Sequence, residues 1–188
     1  YRHLSLYNFA DNHDVERVAS ILKHKPHLYP LHLLLYTIPG VPSLYYGSEW
    51  GLAGKKQHGS DRNLRPAIHL QAFEQAPPET ALAPDLLPVL QRLARVRQAS
   101  PALQQGVYQQ LSVASEQFAF LRTYGEERVV VVVNAADHAV EWRLDLSEIE
   151  GAKKAREPED LLNGEHFALK DNMLALTLPP CWGRILRI

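Results

Sequence analysis

The protein has 188 residues, of which 46% are hydrophobic and 22% charged, a composition typical of one or two soluble globular domains. Its net charge of -1 excludes the strongly basic character of a nucleic-acid-binding domain, and no apolar run approaches the roughly 18 residues of a membrane span. We therefore expect neither nucleic acid nor a membrane as a partner. The single cysteine, Cys181, excludes an internal disulfide and slightly favours a cytoplasmic location.

The first hundred residues alternate between predicted strands and helices, an order typical of parallel βαβ units. Alternating polarity predicts a strand over residues 4–9, and apolar residues at i, i+3, i+4 and i+7 predict a helix over residues 15–23. Further along the chain, the predicted elements are a helix at 27–38, a short buried strand at 43–46, a long polar loop at 48–70 and a helix at 86–97. A loop of that length in a compact domain is usually functional.

After residue 106 the pattern changes to short strands separated by turn residues. Seven strands are predicted, over residues 107–113, 118–124, 129–133, 140–146, 165–169, 174–178 and 184–188. Strands at this spacing favour an antiparallel β-sandwich. The run at 129–133 is β-branched throughout, which indicates a strand buried on both faces. We therefore predict two domains, an α/β part over residues 1–102 and an all-β sandwich over residues 103–188.

The first candidate site lies where the first predicted strand meets the following helix. His13 and Asp14 are adjacent there, and an imidazole beside a carboxylate can hydrogen-bond neighbouring sugar hydroxyls. Arg17, one turn into the predicted helix, is expected to keep Asp14 ionised through a charge-assisted hydrogen bond. From spacing alone the simpler interpretation is favoured: Asp14 caps the helix and His13 is an ordinary loop residue.

A second candidate segment surrounds the predicted strand at 43–46. Tyr45 and Tyr46 offer stacking surface and hydroxyl groups to a sugar, although physical reasoning alone favours core aromatics. Glu49 follows the strand, and a lone carboxylate in that position is more often a hydrogen-bonding anchor than a catalytic group.

No metal site is predicted from the sequence. His24, His27 and His32 have no acidic or thiol residue at ligand spacing, so a solvated or packing role is expected for them. Cys181 is expected to be a small packed residue, because no neighbour in the sequence would activate its thiolate.

Five segments resemble the α-amylase family of glycoside hydrolases, in the order in which that family carries them. FADNHD at residues 9–14 resembles the motif near the seventh strand of the family's catalytic barrel, and PGVPSLYYGSE at 39–49 resembles the eighth strand. DRNLRP at 61–66 is similar to the loop that follows, the segment at 86–106 to the final barrel helix and its exit, and LLNGE at 161–165 to part of the C-terminal β domain. The resemblance implies the last two βα units of a (β/α)8 barrel followed by an antiparallel β-sandwich.

The same resemblance implies that Asp14 is the third of three catalytic carboxylates, the one that stabilises the transition state by binding sugar hydroxyls. The nucleophilic aspartate and the acid/base glutamate belong to earlier strands in this family, and neither motif occurs in this sequence. The residues expected to bind substrate are His13, Asn12, Arg17, Arg65 and Tyr45. No cofactor is indicated, and calcium sites in this family are often set by segments that would lie upstream.

The expected function is therefore that of a C-terminal fragment of a retaining glycoside hydrolase or transglycosidase acting on α-glucans, inactive by itself. A full barrel needs about 250 residues, and the start at Tyr1 has the character of a cut before the seventh strand. An exposed barrel edge of that kind predicts self-association. The alternative is a stand-alone carbohydrate-binding or interaction module with Trp142 and Trp182 as sugar platforms, although strand alternation places Trp142 in the core.

Overall fold

The structure is a computed structural model that describes residues 5–147, 149–150 and 157–188. Two short strands near the start of the chain, β1 (Tyr7–Phe9) and β2 (Val41–Ser43), pair in parallel. Between them lie α1 (Val18–Ile21), a 3-10 turn at Lys25–His27 and α2 (Leu28–Thr37). This is a βαβ connection, as the alternating pattern predicts.

After β2 the chain forms a 3-10 turn at Ser48–Trp50, the long loop, and three further helices. The helices are α3 (Leu70–Gln75), α4 (Leu86–Ala99) and α5 (Pro101–Gln105). The apolar stripe of α4 packs against α2, and α5 leads directly into the all-β part of the chain.

Eight further strands form two antiparallel sheets, which confirms the predicted C-terminal β domain. They are β3 (Val107–Val113), β4 (Gln117–Tyr124), β5 (Glu127–Asn134), β6 (Val140–Asp145), β7 (Glu159–Asp160), β8 (Leu169–Lys170), β9 (Met173–Leu178) and β10 (Trp182–Arg187). The five-stranded sheet has the order β3-β4-β5-β10-β7, and the three-stranded sheet has the order β6-β9-β8.

The central strand β5 divides the core into two layers. Val129, Val131 and Val133 pack against the helices, while Val130 and Val132 pack against the three-stranded sheet. Successive side chains of a strand point to opposite faces, so this run is buried on both sides, as its composition predicts. Trp142 belongs to the second layer and is only 8% exposed, in agreement with its predicted place in the core.

Buried arginines join the helical segments to the sheets. Arg122 of β4 donates to the carbonyl oxygens of Thr37 and Gly106, at 2.5 and 2.9 Å, and burial lowers its pKa to about 10. Arg97 of α4 donates to the carbonyls of Tyr36 and Gly40, the latter immediately before β2. Arg97 is 9% exposed, and its two terminal nitrogens satisfy carbonyls at and just beyond the end of α2, where helix bonds are no longer available.

Three predicted elements differ from the observed ones. The helix expected at 15–23 shortens to α1, the strand expected at 43–46 lies at Val41–Ser43, and the strand expected at 165–169 is wrong. In the last case, the amide of Asp160 donates to the carbonyl of Glu165 at 2.7 Å and His166 forms only an isolated antiparallel bridge with Glu159, so the regular strand begins at Leu169. The short strand β7 was missed, because two residues are too few for a periodic pattern.

Candidate functional site

The parallel pairing of β1 and β2 brings the segments that follow them to one edge. Asp11, just beyond β1, is 3% exposed and holds these two segments together. Its carboxylate accepts hydrogen bonds from the amide of Val18 at 2.9 Å and from the hydroxyl of Ser48 at 2.8 Å. Asp11 therefore satisfies a free amide at the start of α1, which is the role that spacing alone assigned to Asp14.

The capping role predicted for Asp14 is consequently wrong, and its side chain is free to do something else. The carboxylate is 66% exposed; one oxygen lies 3.1 Å from Nε2 of His13 and the other 3.3 Å from Nη2 of Arg65. The backbone amide of Asp14 donates to Oδ1 of Asn12 at 2.8 Å. Imidazole, carboxylate and guanidinium thus form one cluster at the carboxyl edge of the strand pair, which we call the Asp14 cluster.

Arg65 reaches this cluster from the long loop. Its Nε donates to the backbone carbonyl of His13 at 3.1 Å, and its Nη2 also donates to Asp61 at 2.9 Å. One guanidinium therefore fixes both the main chain and the carboxylate of the cluster. The planar fork of arginine suits this role, since it presents several donors in fixed directions.

The contact predicted between Arg17 and Asp14 is not formed, although both residues belong to the described part of the chain. Arg17 is fully buried; its Nε donates to the carbonyl of Leu64 at 3.1 Å and its Nη1 to that of Tyr46 at 2.5 Å. Its guanidinium carbon lies 4.1 Å from the centre of the Tyr45 ring. Arg17 therefore positions the loop and a ring of the site, and it is too buried to touch a ligand itself.

Tyr45 and Tyr46 are neither core aromatics nor freely exposed. Tyr45 is half-buried, with its ring centre 6.5 Å from that of His13, and Tyr46 is 41% exposed with its hydroxyl 3.0 Å from the carbonyl of Pro66. Desolvation raises the pKa of the Tyr45 phenol. The neutral hydroxyl can therefore both donate to and accept from a polar ligand.

Glu49 lies in the 3-10 turn after β2 and is half-buried. Burial raises the pKa of its carboxyl group, and backbone hydrogen bonds from Gly47 and Glu49 oppose that rise. These backbone bonds fit the predicted anchoring role of this carboxylate.

An open cavity of about 1100 Å³ lies along the long loop beside the Asp14 cluster. Arg62, Asn63, Arg65 and Pro66 contribute to its wall, whereas its lining within the described residues does not include His13 or Asp14. Arg65 thus faces the cavity and holds the cluster. We regard the cluster, rather than the cavity, as the site of chemistry, because the oriented ionisable groups are there.

Two residues of this edge escaped the sequence analysis. Asp11 lies in the FADNHD segment and Ser48 in the PGVPSLYYGSE segment, but the sequence pattern assigns no role to either residue. Their hydrogen bond spans 37 positions of the chain, so no local pattern signals it. Five of the predicted site residues lie in or next to the Asp14 cluster: Asn12, His13, Asp14, Tyr45 and Arg65. The sixth, Arg17, is buried behind them.

Comparison with known proteins assigns the chain to a family. Residues 108–185 match the maltogenic amylase C-terminal domain. A cyclomaltodextrinase from Bacillus sp. is 31% identical over 132 residues, covering 69% of this chain and 22% of the relative. An α-amylase structure from Anoxybacillus superposes with a TM-score of 0.78 at 25% identity, over 97% of this chain and 38% of that one. The chain belongs to the α-amylase family.

Within that family, the chain corresponds to a C-terminal portion, as the order of the motifs predicts. The chain spans only 16% of the length of a cyclomaltodextrin glucanotransferase from Niallia circulans. It spans 27% of the amino acid transporter heavy chain SLC3A2 from Oryctolagus cuniculus, to which it is 28% identical over 71% of its own length.

Proposed function

We propose that this chain is the part of an α-glucan-acting glycosidase or transglycosidase that carries the third carboxylate of the active site. Residues 1–102 would be the last two βα units of the catalytic (β/α)8 barrel, and residues 103–188 the C-terminal sandwich. The parallel pair of β1 and β2, with a helical connection between them, supports the barrel assignment. In such barrels the active site lies at the carboxyl ends of the strands, which is where the Asp14 cluster lies.

The observation that carries the proposal is the exposed, oriented carboxylate of Asp14. His13 and Arg65 each hold one of its oxygens, while two-thirds of the side chain stays open to solvent. A carboxylate held in this way accepts hydrogen bonds from neighbouring hydroxyls of a sugar ring. Stabilisation of this kind is effective when the groups are already in place before the transition state forms.

The remaining site residues would complete the sugar subsite around Asp14. Tyr45 would offer a ring face and a neutral hydroxyl, and Asn12 would hold the turn through its bond to the amide of Asp14. Arg17 would act through Tyr45 and the loop, as its burial requires.

The isolated chain is expected to be inactive. A retaining glycosidase needs two carboxylates about 5–5.5 Å apart, one to attack the anomeric carbon and one to protonate the leaving oxygen. Asp14 would be neither of these, and the sequence motifs for the other two carboxylates lie on earlier strands in this family. We expect no release of reducing sugar from starch or maltooligosaccharides; release that survives Asp14→Ala and purification controls would contradict this.

The decisive experiment uses a complete enzyme that carries this segment. Asp14→Asn should lower kcat on maltooligosaccharides by about 10²–10³-fold, because the amide cannot supply the negative charge. Asp61→Asn is the matched control, since Asp61 pairs with the same Arg65; it should change kcat by less than about tenfold. Equal losses in the two variants would assign Asp14 a merely structural role.

A second candidate function is a non-catalytic interaction module. The similarity to an amino acid transporter heavy chain favours it, because that protein is named for a transport role. A sugar-binding module would need exposed tryptophan rings, and the burial of Trp142 argues against that form of the alternative. Trp182 is half-buried, with its ring centre 6.2 Å from that of Tyr29. Binding of maltooligosaccharide that is lost in Trp182→Ala but kept in Asp14→Asn would favour this alternative.

Self-association through the edge of the strand pair is also proposed. Tyr7 and Phe9 of β1 are 67% and 45% exposed, and a groove of about 480 Å³ beside them is lined by apolar residues of α2. An uncovered apolar strand edge is a template for pairing with another chain. Light scattering should show concentration-dependent association that Phe9→Lys reduces; a clean monomer at all concentrations would contradict it.

A further inference from the structure

Three potential metal ligands meet on the side of the molecule where α2 begins. The ligand atoms of His24, His27 and Cys181 all lie within 4.8 Å of one another. His24 is exposed, His27 is half-buried and Cys181 is buried. His24 precedes the 3-10 turn before α2 and His27 is its last residue, whereas the cysteine lies in the turn between β9 and β10. The tertiary fold thus supplies the thiol partner that the two histidines lack in the sequence.

Backbone groups hold this cluster from both sides. The carbonyl oxygen of Ala135 lies 2.9 Å from Nε2 of His27 and 3.8 Å from the sulfur of Cys181. The amide of Cys181 donates to the carbonyl of Ala136 at 2.9 Å. Histidines that bind metals commonly give their second ring nitrogen to a backbone carbonyl or a carboxylate, which orients the ring. His27 has such a carbonyl at hand.

We propose that His24, His27 and Cys181 form a binding site for a zinc-type metal ion. Two imidazole nitrogens and one thiolate are ligands that Zn²⁺ takes in proteins, at about 2.0–2.1 Å for nitrogen and about 2.3 Å for sulfur. Such bond lengths need ligand atoms about 3.5 Å apart. The present separations are at most 4.8 Å, and the exposed side chain of His24 can move inward where a shorter one is needed.

The chemistry of binding is a simple exchange of a proton for a metal. The Cys181 thiol loses its proton to solvent as the sulfur–zinc bond forms, and each neutral imidazole gives one lone pair. With three protein ligands, the fourth position of a tetrahedral ion is left for water. The bound ion would clamp the start of α2 to the turn before β10, and so join the helical part of the chain to the sandwich.

The charges around the cluster also suit a cation. The carboxylate of Asp137 is close enough to influence the pKa of Cys181, which burial and the negative charges of Asp137 and Glu116 raise. Both carboxylates would attract a divalent ion, whose own charge would dominate the local field.

Cobalt titration of the complete 188-residue chain, with Cys181 kept reduced, tests the proposal directly. We expect one Co²⁺ per chain, an intense thiolate-to-cobalt charge-transfer band and the visible bands of a tetrahedral site. Zn²⁺ should then displace the Co²⁺ and raise the Tm, since it binds the folded state. Absence of the charge-transfer band would overturn the proposal.

Variants separate this site from adventitious binding to surface histidines. His24→Ala should weaken binding by more than about tenfold, and it changes an exposed residue, so the fold is retained. Cys181→Ser should abolish the charge-transfer band. His58→Ala is the control, because His58 is an exposed histidine in the long loop, and it should leave affinity unchanged. Equal affinity in His24→Ala and His58→Ala would contradict the site, whatever the fate of Asp14.

Discussion

The strands of the C-terminal sandwich and the strand pair near the start of the chain differ strongly in how far their side chains are exposed to solvent. The five valines at 129–133 of β5 are at most 3% exposed, whereas Tyr7 and Phe9 of β1 are 67% and 45% exposed. β5 has neighbours on both edges and cover on both faces. The pair of β1 and β2 is only three residues long in each strand, and two-stranded pairs of this kind are marginal by themselves.

The difference shows that the candidate chemistry lies on the less protected part. The Asp14 cluster follows β1, and its geometry depends on groups outside the strand pair, above all Asp11, Arg17 and Arg65. The sandwich and its helices provide the cohesive core. The four predictions below test this division, beginning with the largest expected effect.

The largest effect is expected in the core between the five-stranded sheet and the helices. Phe120 is fully buried, and truncation of a buried phenylalanine to alanine costs about 3–5 kcal/mol. Phe120→Ala should lower the free energy of unfolding by this amount in urea titration. Phe9→Ala, in the exposed strand, should cost less than about 1 kcal/mol. Equal losses would show that the two regions are protected alike.

A smaller but more local effect is expected at Arg17. Arg17→Met keeps the apolar stem but leaves the carbonyls of Leu64 and Tyr46 without their donor, which should cost about 2–3 kcal/mol. Limited proteolysis should then cut the long loop faster. Arg62→Met, at an exposed position of that loop, is the control. Unchanged protection of the loop would show that Arg17 does not hold it.

The buried His32 should make stability depend on pH. Desolvation lowers its pKa in the fold, so below about pH 6.5 the unfolded chain binds a proton that the folded chain does not. Stability should therefore fall as pH drops from 7, by up to about 1.4 kcal/mol per pH unit from this residue. His32→Leu should flatten that slope in urea titrations between pH 5 and 7, whereas an identical slope would exclude His32 as its source.

The smallest effect on stability is expected in the Asp14 cluster. The side chains in its ion pairs are 38% to 66% exposed, and pairs open to solvent contribute about 0–1 kcal/mol. Arg65→Met should lower the free energy of unfolding by less than about 1 kcal/mol, and added salt should reduce the difference. A loss of more than about 2 kcal/mol would mean that the cluster belongs to the structural core.

Much of the fold was predictable because the signals are local. The apolar stripe of α4 and the alternating polarity of β6 and β9 predict these elements to within two residues of their observed bounds. The start of α1 was not predictable from periodicity, since it is set by Asp11, seven residues before Val18. Likewise β8 begins only at Leu169, because the preceding stretch pairs with residues 158–160 instead of with β9.

The candidate site was predictable in its members but not in its contacts. His13, Asp14 and Arg65 lie in motifs that resemble the α-amylase family, and the structure brings them together. The partner of Asp14 was assigned to the wrong arginine. Arg17 is three positions from Asp14 and Arg65 is 51 positions away, so the sequence favoured Arg17 as the partner. In the fold Arg17 is buried among backbone carbonyls, and Arg65 pairs with Asp14 instead.

The sequence by itself determined the strand and helix order, the family resemblance and the candidate carboxylate, because periodicity and motifs are carried by neighbouring residues. Only the tertiary structure decided which arginine meets Asp14, which aspartate caps α1 and which thiol joins His24 and His27. These contacts bring together residues from distant parts of the chain. Asp11 and Arg17 are buried, where an unpaired polar group is costly, so they take partners inside the fold and Asp14 meets the more exposed Arg65. Local pattern cannot rank such partners, since their proximity is a result of folding.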